Sequence, residues 1–324
     1  MSEHFIKNIE IRNFKCFEDF KAEGFGRVNL IGGKNNVGKT AFMEALYLSR
    51  GGECNNTLGK VFSSLIKILN LRSKILQEND FDNIFSYLDN ISFFIKSNQG
   101  LLNFQALTEY TENDTIYFEN FISIQGIKFT NKNYPRTKEL LMKNFIPSDS
   151  INNKTMELIY DEIKEQRKRE LLNSYILNFD NNLLEFDFIK DIPKLYEKNI
   201  QKFSDIYEFG HGIKRYISIV GAILINKDGY LFLDEIENGI HYSNLDKLWE
   251  VILKTSKEEN VQVFATTHSK ECIESYARVA KKLKDKEITF IELGRDDDNK
   301  ITSIVYEYDE IINQVEQHQD IRGW

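Results

Sequence analysis

Eight residues, Gly33-Lys34-Asn35-Asn36-Val37-Gly38-Lys39-Thr40, constrain the fold of this chain more than any other stretch. They satisfy G-x-x-x-x-G-K-[ST] at every defined position. The run before them, Arg27-Val28-Asn29-Leu30-Ile31, reads as a strand, and from Thr40 onward Phe42, Ala45 and Leu46 share one helical face. A strand, a glycine turn and a helix in that order gather backbone N–H groups and the positive end of a helix dipole around an anion. Gly33 and Gly38 allow the tight curl, and Asn35, Asn36 and Val37 contribute main-chain N–H groups. Lys39 can reach the outer oxygens of a polyphosphate, and the Thr40 hydroxyl can ligate Mg²⁺. The implied chemistry is triphosphate binding on an α/β sheet.

Three later segments fit that chemistry. Tyr230-Leu231-Phe232-Leu233 is an apolar strand that ends in Asp234 and Glu235. A carboxylate at that place belongs beside the metal of a phosphate site, and its neighbour on the other face can polarise an attacking water. Phe209-Gly210-His211-Gly212 opens the helix that leads into this strand, where free N–H groups can face an anion. The strand Val261 to Ala265 runs into Thr266-Thr267-His268-Ser269, and a neutral His268 there could hydrogen-bond the γ-phosphate or the lytic water. A polar strand exit, a glycine cap or a strand-end histidine is individually common. Their order is what carries information.

That order, Lys39-Thr40, Gly210-His211-Gly212, Leu233-Asp234-Glu235-Ile236-Glu237-Asn238-Gly239, Thr267-His268-Ser269, resembles the ABC-type ATPase heads. Within them it is similar to the SMC, RecF and OLD-like branch and to the small bacterial AAA-domain ATPases grouped with it. The opening Ile9-Glu10-Ile11-Arg12-Asn13-Phe14-Lys15-Cys16-Phe17 is similar to the first strand pair of that branch. The resemblance covers the two ends, 1–50 and 205–295. It implies ATP as substrate and Mg²⁺ as cofactor. Lys39 and the loop around it would bind nucleotide, Thr40 and Asp234 would hold the metal, and Glu235 would be the general base. His268 would be the switch histidine, and Glu237-Asn238-Gly239 the loop that crosses a dimer interface. Gly210, His211 and Gly212 would cover the ATP held by a second copy. The sequence departs from the family there, because Gly210 stands where the signature carries a serine. Gln99 and Gln105 are the candidates for the glutamine that senses Mg²⁺.

The fold class expected is α/β: a P-loop NTPase whose ABC-ATPase-like, mixed or parallel sheet core carries an inserted helical and antiparallel-β lobe. Residues 1–55 and 205–324 are assigned to the nucleotide-binding core and 56–204 to the lobe, within one unit of 1–324. In the lobe, Thr57 to Gln77 has helical spacing, Ile91 to Phe129 is strand-rich, and Asn152 to Ile176 reads as one charged amphipathic helix. After Pro193 the α/β rhythm returns. Helices are expected at Gly212–Leu224, Leu245–Ser256 and Lys270–Lys281, and a strand pair at Ile288–Leu293 and Ile301–Tyr306 around Asp296-Asp297-Asp298-Asn299.

Composition narrows the partners. Lys and Arg number 42 against 50 Asp and Glu, a net charge of −8 that argues against a general nucleic-acid coat. The basic clusters Lys164–Arg169 and Lys281–Lys286 read as solvated helix faces before they read as a nucleic-acid groove. Cys16, Cys54 and Cys272 are too few and too scattered for a disulfide framework or zinc ribbon. The apolar run Ile217–Ile225 is far shorter than the roughly 18 residues of a bilayer span. The N-terminus lacks the pattern of a signal peptide, so a cytoplasmic location without membrane contact is expected. No heptad run supports an SMC-type coiled coil, and with about thirty residues after Gly294 nuclease chemistry of the OLD type is not expected within this chain.

The leading expectation is an ATP-hydrolysing head that dimerises around ATP. It would serve as sensor or scaffold for a separate effector, in the manner of bacterial anti-phage defence systems. Two alternatives stand beside it: a RecF-like ATPase that binds duplex DNA, and a nucleotide-gated module with little hydrolysis.

Overall fold

The computed structural model describes residues 2–49, 92–111, 117–124, 127–129, 143–149 and 151–317. The helix expected at Thr57–Gln77 lies outside them. The phosphate-loop strand β3 (Val28–Gly33) occupies the middle of a six-stranded sheet. The chain reaches it through the antiparallel pair β1 (Asn8–Phe14) and β2 (Phe17–Glu23), and leaves it through helix α1 (Lys39–Ser49).

The next strands extend the first pair. β4 (Ser92–Ser97), β5 (Gly100–Thr111), β6 (Tyr117–Ile124) and β7 (Ile127–Phe129) make an antiparallel sheet in the order β2-β1-β4-β5-β6-β7. Short β8 (Phe145–Ile146) then joins the edge of the phosphate-loop sheet. Helices α2 (Asn153–Glu165) and α3 (Arg169–Phe179) follow, then a three-stranded meander of β9 (Leu183–Ile189), β10 (Ile192–Glu197) and β11 (Lys202–Asp205). Residues of the middle segment are therefore distributed over all three sheets.

The expected helix over Asn152–Ile176 is two helices. Lys164 to Glu170 contains no apolar residue, so no continuous face spans that run. Arg167 takes a left-handed φ of 57°, and the Lys168 N–H closes the turn on the Ile163 carbonyl at 2.9 Å. Restarting lets Leu172 and Ile176 enter the core on a new axis. Three of the four cations of this run are ion-paired within the chain: Lys164 to Asp161, Lys168 to Glu259 at 2.8 Å, and Arg169 to Glu185 and Asp187. In the second basic cluster, Lys281 pairs with Glu316 and Lys282 with Glu250. Lys168, Arg169, Lys281 and Lys282 thus staple separate elements together.

The last part builds the central sheet. Helix α4 (His211–Ile225), strand β12 (Tyr230–Leu233), helix α5 (Leu245–Glu258), strand β13 (Gln262–Thr266) and helix α6 (Lys270–Leu283) follow in turn. β14 (Ile288–Arg295), β15 (Ile301–Glu307) and helix α7 (Tyr308–Glu316) complete the described chain. The order is β15-β14-β3-β13-β12-β8, with β15 alone antiparallel to its neighbour. Parallel strands covered on both faces read as near-continuous apolar runs, as in β12 and, but for Asn29 and the polar ends Gln262 and Thr266, in β3 and β13. Alternate side chains feed two cores. Val28, Leu30, Leu231, Leu233, Val263 and Ala265 face the layer of α4, α5 and α6. Ile31, Phe232 and Phe264 face α1 and the antiparallel sheet. Helix α1 is held between the two sheets, with every residue from Ala41 to Ser49 buried. This fixes the phosphate loop from both sides. Among the described residues no helix is long and apolar enough to cross a membrane.

Candidate nucleotide site

The phosphate loop has the backbone its sequence requires. Gly33 takes φ 138° and a Cβ there would lie 2.4 Å from the Leu293 carbonyl oxygen, so any side chain would collide with β14. Gly38 takes φ 102°, and Asn36 adopts the left-handed conformation at φ 62°. Val37 is buried against Gly33, a packing role beside its N–H. The Lys39 ammonium donates to the carbonyls of Gly33 at 2.8 Å and Lys34 at 3.0 Å, folding the lysine over the loop. Burial lowers the Lys39 pKa from its ordinary value, while the carboxylates of Glu235, Glu237 and Asp234 push it back up.

The carboxylates come from the end of β12, adjacent to β13 and one strand removed from β3. Asp234 is buried and collects two hydroxyls. Thr40 Oγ1 donates to it at 3.2 Å, and Thr266 Oγ1 donates to Oδ1 at 2.7 Å. The Thr266 hydroxyl also accepts the Glu235 N–H at 2.8 Å. Glu235 has a left-handed φ of 46°, a conformation that costs a non-glycine residue energy and recurs at functional sites.

Asn35, Asn36, Gly38, Lys39, Thr40, Asp234, Glu235 and His268 thus line one cleft of about 690 Å³, with Lys15, Cys16 and Thr266. Lys15 and Cys16 reach it from the turn between β1 and β2, a pair the linear reading assigned only to the first strand pair. The His268 side chain is half exposed, and its main-chain N–H donates to Glu237 Oε1 at 3.0 Å.

Gly210, His211 and Gly212 are not among the residues lining this cleft. Gly210 opens α4 at φ 79°. A Cβ on Gly212 would lie 2.5 Å from the Gly239 carbonyl oxygen, so the helix start rests directly on the Glu237–Gly239 loop. Gly212→Ala should therefore displace that loop and destabilise the fold by about 1–3 kcal/mol. Chemical denaturation measures it, and an unchanged midpoint would mean that the loop yields freely.

Gln99, one candidate metal-sensing glutamine, has a different task. It is buried, and its amide donates to the carbonyls of Glu3 at 2.8 Å and Phe5 at 3.0 Å, tying the N-terminal segment to β4 and β5. The Gln105 side chain lies outside the described residues.

Arg215 is a residue that the motif reading missed. It lies on α4, 2% exposed, and its guanidinium donates to the carbonyls of Asp234, Glu235 at 2.8 Å and Ile236 at 3.3 Å. Its remaining nitrogen donates to Pro147 at 2.9 Å and Ser148 at 3.2 Å. One cation thus fixes the backbone that presents both site carboxylates. The available signal was a pair of adjacent cations, Lys214 and Arg215, in a helix that is otherwise mostly apolar. Arg215→Met leaves those carbonyls buried and unpaired, and should cost about 3–5 kcal/mol in a urea titration. A loss too small to move the midpoint would show that the carbonyls find other donors.

Residues 28–274 match the family described as "AAA domain, putative AbiEii toxin, Type IV TA system". A Helicobacter pylori protein named "ATP/GTP phosphatase" is 26% identical over 370 aligned residues, covering 98% of this chain and 100% of that protein. Among solved structures, an SmcHead bound to the C-winged helix domain of ScpA aligns over 94% of this chain and 99% of its own, with 11% identity and a TM-score of 0.55. The SMC head domain from Thermotoga maritima aligns over 93% and 99%, with 15% identity and a TM-score of 0.50. The fold is thus that of an SMC head, with the phosphate loop, the β12 carboxylates and His268 facing one cleft. The chain belongs to this AAA-domain family and is a P-loop ATPase of the ABC/SMC-like type.

Proposed function

We propose that the chain works as an ATP-gated dimer, and that assembly and release of the dimer control a separate effector protein. The observation that carries this is the separation of two groups of residues. The phosphate loop and the β12 carboxylates share a cleft, whereas Gly210, His211 and Gly212 do not line it. A second copy, presenting its α4 N-terminus, would supply the missing cover over the phosphates. ATP bound between two copies stabilises the dimer by mass action, and hydrolysis releases it.

In the cleft, Lys39 leaves the loop carbonyls for the β- and γ-phosphate oxygens, and the loop N–H groups hold the β-phosphate. Glu235 accepts a proton from the attacking water. The oxygen donors of Thr40 and Asp234, already within hydrogen-bond distance of each other, are the hard pair that suits Mg²⁺ when substrate phosphates complete its shell. Bound there, Mg²⁺ would neutralise charge that develops on the phosphates. The N–H groups of Gly210–Gly212 and the His211 imidazole replace a signature hydroxyl, so we expect slow turnover.

The "ATP/GTP phosphatase" name of the Helicobacter pylori relative supports nucleotide hydrolysis as the reaction. The SmcHead solved with a ScpA domain supports a separate protein as effector. The family description, with its putative toxin of a Type IV TA system, supports a place in bacterial defence. A duplex-DNA clamp is less favoured, because Lys164, Lys168 and Arg169 of one basic cluster and Lys281 and Lys282 of the other are ion-paired within the chain. Mass measurement in solution with and without Mg-ATP tests the proposal. ATP should double the mass of the Glu235→Gln protein, and a monomer at saturating ATP would contradict it.

A further inference from the structure

We infer that Glu237 is a positioning residue for His268, holding its imidazole in one tautomer so that Nε2 is the ring nitrogen offered to the cleft. This deepens the reading of the cleft as the ATP site and rests on it. Glu237 Oε1 accepts the His268 main-chain N–H at 3.0 Å and lies 3.3 Å from His268 Nδ1. One carboxylate oxygen thus holds the His268 backbone by a hydrogen bond and stands within ion-pair distance of the ring of the same residue.

Burial separates the two partners. The Glu237 side chain is 11% exposed and the His268 side chain 50%. The carboxylate is the anchored member, and the imidazole is the member that lines the cleft. The loop around Glu237 is itself fixed: the Ile240 N–H closes on the Glu237 carbonyl at 2.9 Å, and the Asn238 amide donates to the Ser148 carbonyl at 2.8 Å. Glu237 Oε2 is buried and has no hydrogen-bond partner. A buried carboxylate oxygen without a donor is costly, so stability alone does not account for a glutamate at this position. Orientation of His268 does account for it.

The chemistry follows from the two ring nitrogens. In neutral imidazole one nitrogen carries the proton and the other the lone pair, and the hydrogen bond made by one decides the role of the other. A short closing of the 3.3 Å gap lets Nδ1–H donate to Glu237, which leaves Nε2 as the acceptor. It can then take a hydrogen bond from the attacking water while Glu235 receives that water's proton. A histidine free to take the other tautomer would present a donor and misalign the water.

Two measurements test this. Histidine-selective ¹⁵N NMR of the full chain, with His268 assigned by its loss in His268→Asn, should show that the neutral form of the ring carries its proton on Nδ1 and not on Nε2. A predominantly Nε2-protonated ring would overturn the inference. In steady-state kinetics Glu237→Ala should lower kcat about 10- to 100-fold with KM unchanged. Glu237→Gln, whose amide oxygen can still accept, should recover part of that loss. In the His268→Asn background Glu237→Ala should add nothing, and an equal loss in both backgrounds would overturn the pairing. If the wild-type chain neither binds nor hydrolyses Mg-ATP, the reading of the cleft fails instead. The tautomer measurement needs no nucleotide and still decides the pair.

Discussion

Glu235→Gln lowers the rate of Mg-ATP hydrolysis by about 10²–10⁴-fold, the range expected when a general base is removed from a positioned water. The substitution keeps the size and hydrogen-bonding capacity of the side chain and removes its basicity. The Glu235 N–H still donates to Thr266, and Arg215 still holds the Glu235 carbonyl, so the strand end keeps its shape. Nucleotide affinity should therefore survive while turnover stops. A phosphate-release assay paired with equilibrium binding of a fluorescent ATP analogue separates the two quantities. Turnover close to wild type would remove Glu235 from the role of base.

Lys39→Ala acts earlier in the cycle. The ammonium donates to the phosphate loop's own carbonyls, and burial disfavours its charged form. Its loss removes charge stabilisation of both bound triphosphate and transition state. Deleting one such preorganised donor typically costs about 10²–10³-fold in rate. Here KM should rise as kcat falls, and the ATP-dependent dimer should not form. The substitution is also informative about folding, since Val37 and the buried face of α1 hold the loop without the lysine. Unchanged thermal stability with lost turnover is the expected pairing. Loss of both together would assign Lys39 a structural task.

How legible the site was depended on whether its signal was local. The strand, glycine turn and helix around Lys39 are contiguous, and the glycines stand where a Cβ would strike Leu293 or Cys16. β12 and β13 were legible because strands buried on both faces cannot alternate with polar residues. The same holds for the β14–β15 pair, whose turn is a run of acidic residues and Asn. What escaped was non-local. No spacing rule tells that the middle segment places Phe145–Ile146 beside β12, because a two-residue strand has no period of its own. Arg215 escaped because its partners are main-chain carbonyls, which carry no sequence identity. Gln99 misled for a related reason: a glutamine's two amide groups serve a buried backbone as well as a metal site. The break at Arg167 was foreshadowed by a run without apolar residues, and reading the flanking periodicity as continuous concealed it.

The central claim is that Lys39, Thr40 and Asp234, distant along the chain, converge on one magnesium-bound triphosphate. Calorimetric titration of the wild-type chain with ATP, in the presence and absence of Mg²⁺, tests it most directly. The account predicts uptake of one nucleotide per chain, with affinity that falls when Mg²⁺ is withheld. Absence of any binding heat across the titration, or affinity indifferent to the metal, would contradict it.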